Sequence, residues 1–229
     1  MKTTSTLLIL AWTLMYSPPQ TLAAEATSKP VRQIKVATDK MCTQLSSEES
    51  TKLGLIRQML TEGKPHAAIA HLDAARIKHE QAELLRANAL RQTGRVPQAQ
   101  AIYEQLANSC VAGQAYRGLG LIAMNTGRVQ ESLSYLQAAS VALPTEHTIR
   151  NDYGYVLMQS GNHELALHEF LTALELVPDY RQAANNLVLL LYRQGDPTKA
   201  EAFAKQFGMV AEEMQQLKKM TQADNETMP

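Results

Sequence analysis

The chain has 229 residues, and its 22 Lys and Arg are balanced by 22 Asp and Glu. That neutrality excludes a nucleic acid held by counterion release as the main partner, and it excludes an acidic solvating tail. Only 5% of residues are aromatic, while 31 Ala and 30 Leu dominate a hydrophobic content of 45%, a composition that favours helices over a large sandwich or barrel.

The chain opens with Lys2, an apolar run from Leu7 to Met15, the breakers Ser17, Pro18 and Pro19, and small residues at Ala23, Ala24 and Ala26. Charged, apolar and small residues in that order spell a secretory signal peptide. The run is too short to cross roughly 30 Å of hydrocarbon, which takes ~20 apolar residues. Residues 1–24 are therefore expected to be removed on export, with Ala24 or Ala26 as the last residue lost. No cysteine follows the run at lipoprotein spacing. The rest of the chain holds no other segment near transmembrane length, so it is expected to be peripheral to a membrane at most.

Residues 25–47 are mixed, with Val31, Ile34 and Val36 as apolar hints, and read as a linker or N-terminal arm. Cys42 lies in this segment and Cys110 in the body. In an oxidising compartment the two allow one disulfide. The alternative is two unrelated thiols, and sequence spacing leaves both open. Ser46 and Glu49 have the spacing of a capping box and should start the first helix.

A regular repeat follows. Gly120, Gly127, Ala139 and Pro144 recur at one constant interval as Gly154, Gly161, Ala173 and Pro178. With decay in both directions, five units fill 49–79, 80–112, 113–146, 147–180 and 181–207. Each holds two amphipathic stretches divided by a glycine suited to end a helix in the left-handed conformation. Asn162 and Asp196 are suitable N-caps, and Pro65, Pro97 and Pro197 fall in first turns. Pro144 and Pro178 close second helices. Small residues at matched positions let backbones approach. Residues 209–222 present Val210, Met214, Leu217 and Thr221 on one face, with Glu212 and Glu213 near the start and Lys218 and Lys219 near the end, as a capping helix would. Residues 223–229 read as a tail, with an isolated glycosylation match at Asn225, Glu226 and Thr227.

These residues and their interval resemble the tetratricopeptide repeat (TPR), a helix-turn-helix module of about 34 residues. The expected fold is all-α: an α-solenoid of about five such units with a C-terminal capping helix, because one hairpin alone cannot bury its apolar face.

Chemical motifs are thin. His163, Glu164 and His168 imitate a zinc helix, but a spacing of i+5 turns the second imidazole off the face. Gly118, Gly120 and Ala123 match a dinucleotide fingerprint without the strand it requires. No catalytic residue, metal site or cofactor is expected.

The TPR resemblance implies an inner groove lined by the first helix of each unit. It assigns to that groove Asn88, Arg91, Arg117, Leu121, Asn151, Tyr155, Asn185, Leu189, Tyr192 and Arg193. Amides, guanidinium groups and flat aromatic rings there suit a protein or peptide partner. The stretch Arg150 to Leu191 narrows the resemblance. Asn151 to Tyr155, Phe170 to Pro178, Arg181, and Asn186 with Leu187 and Val188 look like the TadD-type TPR proteins of bacterial tight-adherence (Tad/Flp) pilus systems. That likeness implies an exported, non-catalytic assembly factor in the periplasm or at the outer membrane, supporting a pilus or its secretin. Another periplasmic TPR adaptor, for an envelope complex or a different pilus type, is the alternative.

Overall fold

The computed structural model describes Ile34 and residues 40–226. The expected signal segment, the arm before Lys40 apart from Ile34, and residues 227–229 with the sequon's Thr227 lie outside the described residues.

Among the described residues all regular structure is α-helical. Five hairpins pair α1 (Ser47–Thr61) with α2 (Pro65–Ala75), α3 (Glu80–Gln92) with α4 (Val96–Leu106), α5 (Ala112–Asn125) with α6 (Val129–Ala142), α7 (His147–Gln159) with α8 (His163–Leu176), and α9 (Arg181–Arg193) with α10 (Pro197–Gln206); α11 (Ala211–Glu226) follows. Within a hairpin the two helices pack together, and each second helix of the first four hairpins packs on the first helix of the next pair. Successive first helices also touch, from α1 and α3 through to α7 and α9. This nearest-neighbour stacking is an α-solenoid closed by a terminal helix on α9.

Every hairpin turns on the same device. Gly63, Gly94, Gly127, Gly161 and Gly195 have φ between 71° and 79°, a region that a Cβ penalises. The following amide reaches back to a carbonyl in the last turn: Lys64 N to Met59 O at 2.8 Å, Arg128 N to Ala123 O at 2.8 Å and Asn162 N to Leu157 O at 2.9 Å. Carbonyls orphaned at the helix end are thereby satisfied. Three second helices then start with Pro65, Pro97 or Pro197 in the first turn, where the missing N–H costs nothing. Asp196 caps α10 by accepting from Lys199 N at 3.0 Å. Asn162 holds the N-cap position of α8, but its side chain makes no capping bond. Its amide nitrogen turns back to Ser160 Oγ at 2.9 Å, which corrects the capping role expected for it.

Packing explains the small residues. A Cβ on Gly154 would lie 2.8 Å from Phe170 Cε1, and one on Gly120 would lie 2.6 Å from Leu136 Cγ. Phe170 and Leu136 are fully buried, and each follows its glycine at the same interval along the chain. Tyr103, also fully buried, bears the same relation to Ala87 and lays its ring over Gly118. Gly118 and Gly120 are thus spent on helix contact inside α5, and Ser132 Oγ donates to Gly120 O at 2.9 Å. Arg150 joins α7, α8 and the preceding turn by donating to both Glu169 carboxylate oxygens, at 3.0 and 3.2 Å, and to Pro144 O at 2.9 Å.

The ends are finished differently. At the N-terminus Ser46 and Glu49 form a reciprocal capping box, with Ser46 N to Glu49 Oε2 at 3.0 Å and Glu49 N to Ser46 Oγ at 3.2 Å. At the C-terminus Arg181 donates to Phe207 O at 2.6 Å and pairs with Glu213, whose carboxylate also accepts from Val210 N at 3.1 Å. Leu217 and Thr221 of α11 are buried.

Two outcomes follow from this packing. Gly154→Ala should cost about 1–3 kcal/mol in urea unfolding because Phe170 cannot retreat. Gly54→Ala, in α1 with nothing within 4 Å of the new methyl, should instead stabilise by up to about 1 kcal/mol through helix propensity. The second outcome concerns acid. Val210 N–H, followed by Arg181, holds the Glu213 carboxyl below the ordinary glutamate range. A depressed folded pKa contributes stability above the unfolded value and loses it as pH falls through the folded one. The protection factor of α11, measured against the intrinsic exchange rate at each pH, should therefore fall below about pH 4, and Glu213→Gln should flatten that dependence.

Candidate functional site

The first helices α3, α5, α7 and α9 carry every residue that the repeat pattern assigns to a partner surface. Their faces adjoin through polar pairs that bridge neighbouring units. Arg117 Nε on α5 donates to Asp152 Oδ2 on α7 at 2.7 Å. Asn186 Nδ2 on α9 donates to Asn151 Oδ1 on α7 at 2.8 Å. Both pairs span 35 residues, one position beyond the repeat. Asp152 is only 9% exposed at its side chain while Arg117 keeps 36%, so the pair is shielded on one side and open on the other.

A second polar group sits between α3 and α4. Tyr103 OH donates to Asn88 Oδ1 at 2.6 Å. Burial pushes the Tyr103 phenol up, and the nearby guanidinium groups of Arg91 and Arg117 pull against that rise. Tyr103 therefore remains a neutral donor beside two cations. Arg91 Nε is itself buried without a hydrogen-bond acceptor. Burial, followed by the Asp152 charge, likewise raises Tyr180, whose ring meets His147 edge-on at 4.7 Å between centroids.

The ten sequence-assigned positions divide into two sets. Asn151 at 1% exposure and Leu189 at 2% face the interior and make no partner surface. The cause of this correction is that α9 binds over Asn151 through Asn186, while Leu189 packs into the C-terminal core cluster. Asn88, Arg91, Arg117, Leu121, Tyr155, Asn185, Tyr192 and Arg193 are half-buried. Among these, Asn88 and Arg117 are committed to internal hydrogen bonds, and Asn185 Oδ1 is buried with no donor. Leu121, Tyr155 and Tyr192 form the apolar part of the row; burial and then Glu201 raise the Tyr192 phenol. Sequence reasoning missed Asp152, Tyr103 and the bonding role of Asn186. The signal for Asp152 and Asn186 was chemical complementarity one position beyond the repeat interval.

Of the motifs that imitate metal chemistry, His163 and His168 both lie on α8, and the side chain of His168 is 72% exposed. Among the described residues no three His, Cys, Asp or Glu come together in a metal-holding group, and no helix is long and apolar enough to cross a membrane.

Stacked helical hairpins with a continuous row of first-helix side chains define a repeat protein of the interaction class. The chain belongs to the tetratricopeptide repeat family, whose model matches residues 84–147 and 152–207, more than half of the sequence. It is 36% identical over 171 residues to the TPR repeat-containing protein PA4299 of Pseudomonas aeruginosa, an alignment covering 75% of this chain and 69% of that protein. Among solved structures it is similar in fold to Pseudomonas aeruginosa pilF, with a TM-score of 0.58, 20% identity, and 69% of this chain and 74% of the other covered. MamA from Desulfovibrio magneticus RS-1 gives a TM-score of 0.53 at 15% identity, covering 76% of this chain and 98% of that one.

The bridging pairs carry a stability prediction. Asn151→Ala leaves Asn186 Nδ2 without its buried acceptor and should cost about 1–3 kcal/mol. An Arg117→Ala, Asp152→Ala double-mutant cycle should return a coupling of about 1 kcal/mol, modest because Arg117 remains open to solvent. Chemical denaturation of the four proteins measures it.

Proposed function

We propose that this protein is an exported, non-catalytic scaffold that seats protein partners on its first-helix face during assembly of a Tad/Flp-type pilus or its secretin. The observation that carries the binding role is the half-buried row Leu121, Tyr155 and Tyr192 set among Arg117, Asn185 and Arg193. Flat rings and guanidinium groups on a preformed helical frame lose little ordering entropy when a partner segment docks. TPR proteins work as interaction scaffolds, and the family assignment supports that class of role. The pilus reading rests on the TadD-like residues between Arg150 and Leu191. Export rests on the apolar run at Leu7 to Met15 and is supported by the Cys42–Cys110 disulfide, since such bonds persist in oxidising compartments.

Affinity capture from native envelopes, read by mass spectrometry, tests the reading. Pilin-machine components and the secretin should co-purify, with the mature chain starting just after Ala24 or Ala26. Tyr155→Ala combined with Tyr192→Ala should lower that capture at least tenfold while helical CD is retained. Undiminished capture would move binding off this face. Capture of unrelated envelope proteins in place of pilus components would leave an adaptor of another complex.

A further inference from the structure

Residues 40–46 run without helix ahead of α1. Their attachments are few and specific. Cys42 is bonded to Cys110, in the connection between α4 and α5, with Cα atoms 5.1 Å apart. Lys40 Nζ donates to Asn108 O in the same connection at 2.6 Å. His79 Nε2 lies 2.9 Å from Thr43 O, while His79 Nδ1 accepts from Gln81 N at 3.1 Å and so caps α3. That pair of bonds requires the Nε2–H tautomer. Ile34 and Cys42 pack on the middle core cluster, and Leu45 packs on the N-terminal one. This short strap thus crosses from the α4–α5 connection, past the start of α3, to the start of α1. Both cysteines are half-buried rather than enclosed in the core.

We propose that the disulfide is a redox latch on this strap. An external dithiol attacks through its thiolate, forms a mixed disulfide with one cysteine and releases the other; its second thiolate then attacks the reagent's own bonded sulfur and releases the remaining cysteine. Two electrons and two protons pass to Cys42 and Cys110, which become thiols, and the dithiol leaves as its own disulfide. With the covalent tie gone, only the Lys40 and His79 contacts and the apolar seats remain to hold the strap. Reduction therefore frees it, uncovers the part of the middle core cluster on which Ile34 and Cys42 pack, and loosens the start of α3. Reoxidation closes the strap again. The latch depends on neither the pilus reading nor the first-helix face.

Hydrogen exchange with mass spectrometry on the purified protein tests it, before and after a phosphine reductant and again after oxidised glutathione. Peptides covering 40–46, 79–85 and 106–112 should exchange about tenfold faster when reduced, with α7 to α10 unchanged and full recovery on oxidation. Lys40→Ala should shift the glutathione equilibrium toward the dithiol without changing helical CD. Equal protection in the reduced protein, or alkylation of Cys42 and Cys110 before any reductant is added, would overturn the proposal. An unshifted equilibrium in Lys40→Ala would overturn it too. Because reduction is done on the native sequence, misfolding of a Cys→Ser variant cannot obscure the result.

Discussion

The structure depends on how closely two helix backbones approach inside the middle hairpins. At Gly120 and Gly154 the facing side chain comes so near that no Cβ fits. A large knob on the second helix, Leu136 or Phe170, occupies the space. Ala87 with Tyr103 repeats the arrangement with a methyl in place of the glycine hydrogen. In the last hairpin the two positions hold Val188 and Ala204, both fully buried, so the larger side chain has moved to the other helix while the summed volume stays similar. Core packing tolerates such exchanges when volume is conserved. The first hairpin is the exception, holding Ile56 and Leu72 at these positions, both buried. In the other hairpins the paired volumes fix the register, and in all five the left-handed glycine fixes where the chain reverses. Similar hairpins then present their first helices on one side by repetition alone.

Repetition has a cost for recognition. A residue at the fifth position of a repeat unit sits where the neighbouring first helix begins to cover it. Asn151 is fully enclosed there and is satisfied by Asn186, whereas Arg117 is half open and held by Asp152. An enclosed polar group without its partner costs more than the bond is worth, so these side chains primarily set the spacing between units. Positions one or two turns further along, Leu121, Tyr155 and Tyr192, instead retain surface on a frame already ordered by the pairs beneath them.

The fold was legible in the sequence because its causes are local and repeated. Glycines ended helices, prolines began them, and small residues marked close approach at a fixed period. The site was less legible because its bonds run between repeats. Position within a unit says which side chains point toward the inner face, but not which the next unit will cover. Asn151 and Asn185 occupy the same place in the pattern, yet only Asn151 receives a donor from a following first helix. Asn162 had the right identity for an N-cap, and the nearby Ser160 captured its amide instead. Cys42 and Cys110 are separated by 68 residues. Their meeting depends on how many hairpins the strap passes, which no local pattern encodes.

The two ends show what a solenoid must supply beyond its repeats. An internal hairpin is buttressed on both sides, and an end hairpin on one. At the C-terminus α11 takes the place of the missing neighbour, pinned by Arg181 through Glu213 and the Phe207 carbonyl. At the N-terminus an open groove of about 240 Å³ remains between α1 and α2, beside Leu55, Met59, Ala74 and Ala75. The disulfide compensates by a different route. It ties the chain just before Ser46 to the far end of the second hairpin, so that the first hairpin cannot separate without carrying the second with it. Closing a loop of 68 residues removes unfolded-state entropy worth up to about 4 kcal/mol in the chain-entropy account. A nearest-neighbour array thereby gains one link that skips a repeat, at the end where nearest-neighbour contacts are fewest.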